Sequence, residues 1–309
     1  MLVYFLKRLL TLIPVCLGVL ILIASLTRLV PGDPAEAILG DYASEADKQK
    51  LRAELNLDGP LHQQISDYLK AVATGDLGKS FVYSEPVADM IIARLPATIE
   101  LALVSLLVAL LIALPAGLIS AYYEGSLTDF TAMSLAIAGV AIPNFWLGPV
   151  LVLFFSIYLG WLPVSERGDW SSYVLPAITM GTALSAALSR ITRNAMLDTL
   201  SEDFIRTAYA KGCSQIRVVL NHAFRNASLP LVTVVGLQFG VLLTGAIITE
   251  KIFDWPGVGT LLLEGIHTRD YAIIQGCVLI FSASYLIVNL LTDVLYGLID
   301  PRIRVRKND

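Results

Sequence analysis

Charged residues are spaced very unevenly along the chain. Six stretches of at least 19 residues contain no Asp, Glu, Lys or Arg: 9–27, 101–123, 130–165, 170–189, 226–249 and 271–292. A bilayer core takes about 20 apolar helical residues per crossing, so the pattern predicts an all-α integral membrane protein with six transmembrane helices. The third stretch is too long for one straight crossing. Its Pro143, Pro149 and Pro163 predict one kinked span with apolar shoulders, because a turn between two short helices would leave backbone groups unpaired in lipid. The first stretch follows Lys7 and Arg8 as in a signal peptide. It exceeds the usual length of about 7–15 residues and no small-x-small site precedes Arg28, which makes it a retained anchor.

Between the first two spans, residues 31–96 form the only segment large enough for an extramembrane subdomain. It carries eleven acidic and six basic residues. Ser44 is placed to cap a helix through Leu51 and Leu55. Pro60 is placed to start another, with Ile65, Tyr68, Leu69 and Val72 on one face, before Gly75 and Gly78 break the pattern. Residues 73–80 read ATGDLGKS, a loose phosphate-loop match. The chemistry needs a strand before the loop and a helix after it, and an amphipathic helix precedes this one.

Composition agrees with lipid as solvent: 56% of residues are apolar and 16% charged, with a mean hydropathy of +0.69. A soluble enzyme and a disordered chain are excluded. The net charge of −4 argues against nucleic acid as a partner. Six spans put both termini on one side. That side would hold Lys7, Arg8, six basic residues between Arg190 and Arg225, and Arg302, Arg304, Arg306 and Lys307. The short loops opposite hold only Arg167, Lys251 and Arg269. The positive-inside bias therefore predicts cytoplasmic termini and an extracytoplasmic 31–96 segment. Cys16, Cys213 and Cys277 with His62, His222 and His267 show no metal-ligand spacing.

Residues 196–226, between spans four and five, are too polar for lipid and too helix-prone for a plain linker. Ser201, Glu202 and Asp203 suit a helix start, Phe204, Ile205, Ala208 and Tyr209 give an apolar stripe, and Gly212 is a stop. A second short helix through Ile216, Val219 and Leu220 is expected before Pro230 opens span five. The physics leaves two readings: a helix pair docking in a groove of another protein, or one lying in the lipid interface.

Here the chain resembles a known family. Residues 201–212 (SEDFIRTAYAKG) and 222–230 (HAFRNASLP) resemble the EAA loop of binding-protein-dependent ABC importer permeases, in particular the dipeptide/oligopeptide/nickel permease family. Arg206, Thr207 and Ala208, three further residues and then Gly212 occupy the EAA-x3-Gly pattern. The first two positions depart from the general form and agree with the peptide-type subgroup. PGDP at 31–34, LNLDGP at 55–60, GDLG at 75–78 with Ser80, EKIFDWPGVG at 250–259 and DPRIR at 300–304 extend the similarity along nearly the whole chain.

The resemblance implies a type I ABC importer permease fold: first span 1–30, extracytoplasmic segment 31–96, five-span core 97–300 containing coupling loop 194–225, and basic tail 301–309. It implies a coupling surface at Asp203, Phe204, Arg206, Thr207, Ala208, Lys211 and Gly212, seated in a cytoplasmic ATPase. The implied partners are a second homologous permease, two ATPase subunits and an external solute-binding protein, with membrane lipid around them. ATP and Mg would be used by the ATPases, and this chain would bear no catalytic residue or metal. Dipeptides, oligopeptides, glutathione-like compounds and nickel or its chelates are the family's substrates.

Polar groups inside spans are costly and need a reason. Asn144, Gln238, Asn289 and Asp293 are the candidate translocation-path residues, with interhelical hydrogen bonding as the alternative role. Gln238 lies among Gly236, Gly240 and Gly245, and Arg190 is a candidate partner for Asp293. A stand-alone secondary transporter would show an internal repeat and a midplane ionisable cluster, and an intramembrane hydrolase a catalytic constellation. The sequence displays none of these.

Overall fold

The computed structural model describes residues 2–29, 44–54, 59–165 and 167–299. The PGDP motif, most of LNLDGP, DPRIR and the basic tail lie outside them. Among the described residues the chain is helical, apart from loops and one isolated bridge between Lys79 and Pro86.

Helix α1 (Leu2–Leu29) contains the apolar segment Ile13–Ser25. Two short helices follow, α2 (Glu45–Glu54) and α3 (Leu61–Ala73). The Asp47 amide donates to Ser44 Oγ at 3.2 Å, so Ser44 caps α2 as expected, and Pro60 occupies the N-cap of α3. The ATGDLGKS run begins on the last residue of α3 and continues as a loop, without a strand before it.

Among the described residues, four helices are long and apolar enough to cross a membrane. They are α4 (Val87–Tyr122), α7 (Val174–Leu200, entered through the 3-10 turn Trp170–Tyr173), α9 (Phe224–Gly245) and α12 (Tyr271–Ile299). At about 1.5 Å per residue, the 36 residues of α4 reach about 54 Å, well past the hydrocarbon core. A fifth apolar element is a pair, α5 (Leu127–Ala141) and α6 (Asn144–Leu151), with α6 continuing as a π-helix over Val152–Tyr158. The pair bends by 97°.

The bend falls at Pro143, one of the three prolines expected to kink this stretch, and at 97° it divides the stretch into two helices. Pro143 caps α6 with φ −65° and ψ 140°, and its carbonyl accepts from the Trp146 and Leu147 amides at 3.0 and 2.9 Å. A break at proline orphans no N–H at that residue, which removes part of the penalty that argued against two helices. Pro149 sits inside α6, and Pro163 lies in the loop beyond, where its carbonyl accepts from Ser156 Oγ.

The bundle is organised around α7, the most enclosed of the long helices. One core cluster joins α4, α7 and α9 through Leu101, Ala109, Met180, Leu188 and Leu242. Close approach follows from small residues. A Cβ on Gly181 would lie 2.8 Å from the Ser105 carbonyl, and one on Gly240 2.9 Å from the Tyr285 ring. At Gly236 a Cβ would overlap Thr292 outright, so the Gly236/Gly240 pair lets α9 meet α12.

Gly236→Leu is therefore expected to destabilise the detergent-solubilised chain by the overpacking cost of about 1–3 kcal/mol. Gly18→Leu, where a new Cβ meets nothing within 4 Å, is expected to leave the melting midpoint unchanged. Thermal unfolding followed by size-exclusion chromatography measures both.

Candidate functional site

At one end of the bundle, here the loop end, the chain leaves α7 and forms α8 (Asp203–Ala210). Ser201 does not start this helix as expected. It terminates α7, its Oγ donating to the Asp198 carbonyl, and Glu202 takes the N-cap of α8. Gly212 ends α8 at φ +77°, a conformation favouring glycine, and the Gly212 and Cys213 amides donate to the Tyr209 and Ala208 carbonyls. The following chain is one continuous helical run from Gln215, through a π-helical turn at Val218–Ala223, into α9. Pro230 falls inside α9 and does not open it.

Helix α8 has two faces with different roles. Ile205 and Ala208 are buried against Met196 of α7, Ala121 of α4, and Val218, Val219, Ala223 and Ala227 at the entry to α9. Phe204, Arg206, Thr207, Tyr209 and Lys211 are exposed. The expected single apolar stripe is thus split, since Ile205 is 2% exposed while Phe204 is 41% and Tyr209 45% exposed. Asp203 stands at the N-terminal end, where its charge suits the dipole, and pairs loosely with Arg206 at 3.4 Å. Of the sequence-derived surface, Ala208 faces inward and the other residues line the open side.

Near this mount a polar clamp ties three spans. Arg193 Nε and Nη2 donate to Asp129 Oδ1 and Oδ2 at 2.8 and 2.6 Å, a bidentate pair. Ser120 Oγ of α4 donates to the same carboxylate, as does the Gly125 amide. The ion pair at this end of α7 is therefore Arg193–Asp129, whereas the sequence suggested Arg190 with Asp293.

Deeper in the bundle, Asn144 and Gln238 line one cavity of about 220 Å³ with Met180, Ala183, Leu184, Ala187, Val241 and Leu242. The fold unites two of the four candidate path residues, since the bend at Pro143 carries Asn144 against α7 and α9. Asn289 and Asp293 lie along α12 and are not among the lining residues. Asn289 Oδ1 is buried without a hydrogen-bond partner among the described residues.

The opposite end holds polar groups that sequence reasoning missed as functional elements. Glu250, in the short helix α10 (Ile247–Ile252), is fully buried. Thr98 Oγ1 donates to its Oε1 at 2.7 Å and the Thr260 amide to its Oε2 at 3.0 Å. Gly257 and Gly259 pack directly on the carboxyl, where any Cβ would collide with it. Trp255 Nε1 donates to the Ala97 carbonyl at 2.9 Å, and the Val258 amide to Thr98 Oγ1. The EKIFDWPGVG motif is thus a cage that locks α10 and α11 (Val258–Thr268) onto α4. Its signal was present as two glycines following a carboxylate in an apolar setting. Burial pushes the Glu250 carboxyl up from the ordinary glutamate range, with the Thr98, Thr260 and Gly259 hydrogen bonds opposing. Likewise Asp270 Oδ2 accepts from Ser80 Oγ and the Phe81 amide at 2.7 and 2.9 Å, which gives the GDLG-x-Ser run a docking role. Arg167 reaches Glu100 with both carboxylate oxygens in range, and Tyr173 Oη donates to the same group at 2.7 Å.

A bundle of membrane-crossing helices with an amphipathic helix mounted across one end defines a multi-pass membrane component. The chain belongs to the family described as binding-protein-dependent transport system inner membrane component, whose model matches residues 113–305. The N-terminal counterpart of that family matches residues 1–102. The chain is 44% identical over 306 residues to the glutathione transport system permease protein GsiC of Escherichia coli O6:H1 (strain CFT073), covering 99% of this chain and 100% of that one. The same-named proteins of Escherichia coli K12 and Salmonella choleraesuis are 43% and 44% identical over the same coverage. Among solved structures, the inward-facing MetNI methionine ABC transporter matches with a TM-score of 0.58 at 14% identity, covering 68% of this chain and 96% of that one. An amino acid ABC transporter crystallised with histidines matches at 0.51 and 16% identity, covering 69% and 94%. This likeness fixes the fold as that of a type I ABC importer permease. The chain is a permease subunit and a multi-pass inner-membrane protein.

The Glu250 cage carries a pH signature. The folded chain retains the Glu250 proton to higher pH than the unfolded chain, so between the two pKa values raising pH favours unfolding. As pH rises above the ordinary glutamate range, wild-type stability is expected to fall more steeply than that of Glu250→Gln, which cannot titrate. Melting midpoints across that rise in pH measure the difference in slope.

Proposed function

We propose that this chain is one of two permease subunits of an ATP-driven importer of short peptides, with glutathione, itself a tripeptide, as the leading substrate. The supporting observation is 43–44% identity, over essentially full length, to permeases named for glutathione transport. Dipeptides and longer peptides remain within the same class.

In this reading the α8 end faces the cytoplasm, as the excess of basic residues on that side favours. Phe204, Arg206, Thr207, Tyr209 and Lys211 contact an ATPase subunit, which binds ATP and Mg²⁺; this chain binds neither. Ile205 and Ala208 fix α8 to the ends of α4, α7 and α9, so a displacement of α8 is transmitted to the spans instead of being absorbed in a loose loop. ATP-driven closure of the ATPase pair biases this mount between two positions, switching access between the faces. Asn144 and Gln238 offer uncharged donors and acceptors along the path, at the contact with the second permease. The solute-binding protein docks at the opposite end.

Reconstituting the permease pair, two ATPases and binding protein in liposomes tests this. ATP-dependent uptake of labelled glutathione or short peptides is expected; uptake by this chain alone without ATP would contradict the reading. Gly212→Trp and Phe204→Ala are expected to insert normally and to lower uptake at least tenfold, because both change the docking face. At Gly212 a new side chain meets nothing within 4 Å and strains only the local backbone. Normal uptake by both variants would remove the coupling role.

A further inference from the structure

A second cavity, of about 390 Å³, opens between α5 and α7 at the loop end. Its polar wall is Arg190, Arg193 and Asn194, residues i, i+3 and i+4 on one face of α7. The acid in this wall, Asp129, is already saturated by Arg193, Ser120 and the Gly125 amide, as described above. Arg190 is exposed and makes no ion pair with any described residue, so the wall keeps one uncompensated positive charge. The exposed Glu124 is close enough to act on Arg193 but does not line the cavity.

The other wall is apolar and continues out of the cavity. Phe130, Met133 and Ile137 follow one another along one face of α5, with Phe130 70% and Ile137 52% exposed. Depth is set by the sequence: Arg190 immediately follows the charge-free stretch 170–189, and Asp129 immediately precedes 130–165. The cation therefore sits where headgroups lie, and the apolar face runs from it into the hydrocarbon.

We propose that this cavity is a binding site for an anionic phospholipid, its phosphate held by Arg190 and Asn194 and an acyl chain lying along Phe130, Met133 and Ile137. A free phosphate would use the guanidinium and leave the apolar stripe without a role. A zwitterionic lipid would bring its own ammonium beside Arg190, which selects for headgroups of net negative charge such as phosphatidylglycerol or cardiolipin. The site is separate from the exposed face of α8 and does not depend on which solute is carried.

Native mass spectrometry of the assembled transporter, released from mild detergent and titrated with phosphatidylglycerol, phosphatidylethanolamine or inorganic phosphate, tests the proposal. Wild type is expected to retain phosphatidylglycerol in preference to phosphatidylethanolamine. Arg190→Gln is expected to lower that retention about fivefold, and Arg190→Lys to restore most of it. Phe130→Ser is expected to weaken lipid retention without altering any phosphate adduct. Equal retention of both lipids by wild type, unchanged retention in Arg190→Gln, or displacement of the lipid by inorganic phosphate would overturn the assignment.

Discussion

Lipid offers no hydrogen-bond partner, and this constraint shapes the polar contacts along the spans. Hydroxyls on α7 turn back onto their own helix: Thr179, Ser189 and Thr192 donate to the carbonyls four residues earlier at 2.7–2.8 Å. Satisfied in this way, they act as small residues and let α4 pack closely along α7. The buried Asp129 carboxylate is saturated by a bidentate arginine, a hydroxyl and a backbone amide. The Glu250 cage applies the same rule at the opposite end, with glycines making room for a carboxyl shut off from the surface.

The two ends of the bundle are thus each tied by polar clamps, which is what the proposed transport role needs. The Arg193–Asp129–Ser120 clamp holds α4, α5 and α7 together beside the mount of α8. At the far end, Glu250, Trp255 and Asp270 pin the α10–α11 segment and the loop before α4 onto the spans. Between these clamps the interior is apolar and small-residue packed, with the Asn144–Gln238 cavity as a weakly polar interruption. Rigid ends joined by closely packed helices favour movement of spans as units over local deformation.

The sequence reveals the helical class, the apolar stretches, the helix ends at Ser44, Pro60 and Gly212, and the loop that carries α8. These follow from local rules of hydrophobic run length, capping and glycine conformation. What it conceals depends on contacts between residues far apart. No local rule announces that Arg193 pairs with Asp129, 64 positions away, or that Asp270 closes the loop at Ser80. Pro143 announces a kink, but its 97° angle is not legible, because it depends on how far proline's missing N–H lowers the cost of a break in lipid. On α8, periodicity identifies an apolar stripe without saying which side meets the chain's own spans. Asn144 and Gln238 were legible as costly polar residues; their meeting in one cavity required the bend.

The claim that α8 presents a fixed outer face to an ATPase partner is tested most directly by labelling. Single cysteines at Phe204 and Tyr209, in a chain lacking its three native cysteines, would be reacted with a membrane-impermeant maleimide with and without the ATPase subunits bound. Both positions should label rapidly in the isolated permease pair, from the cytoplasmic side only, and become protected on assembly. Equal labelling rates in the two states, or labelling from the opposite side, would contradict the account.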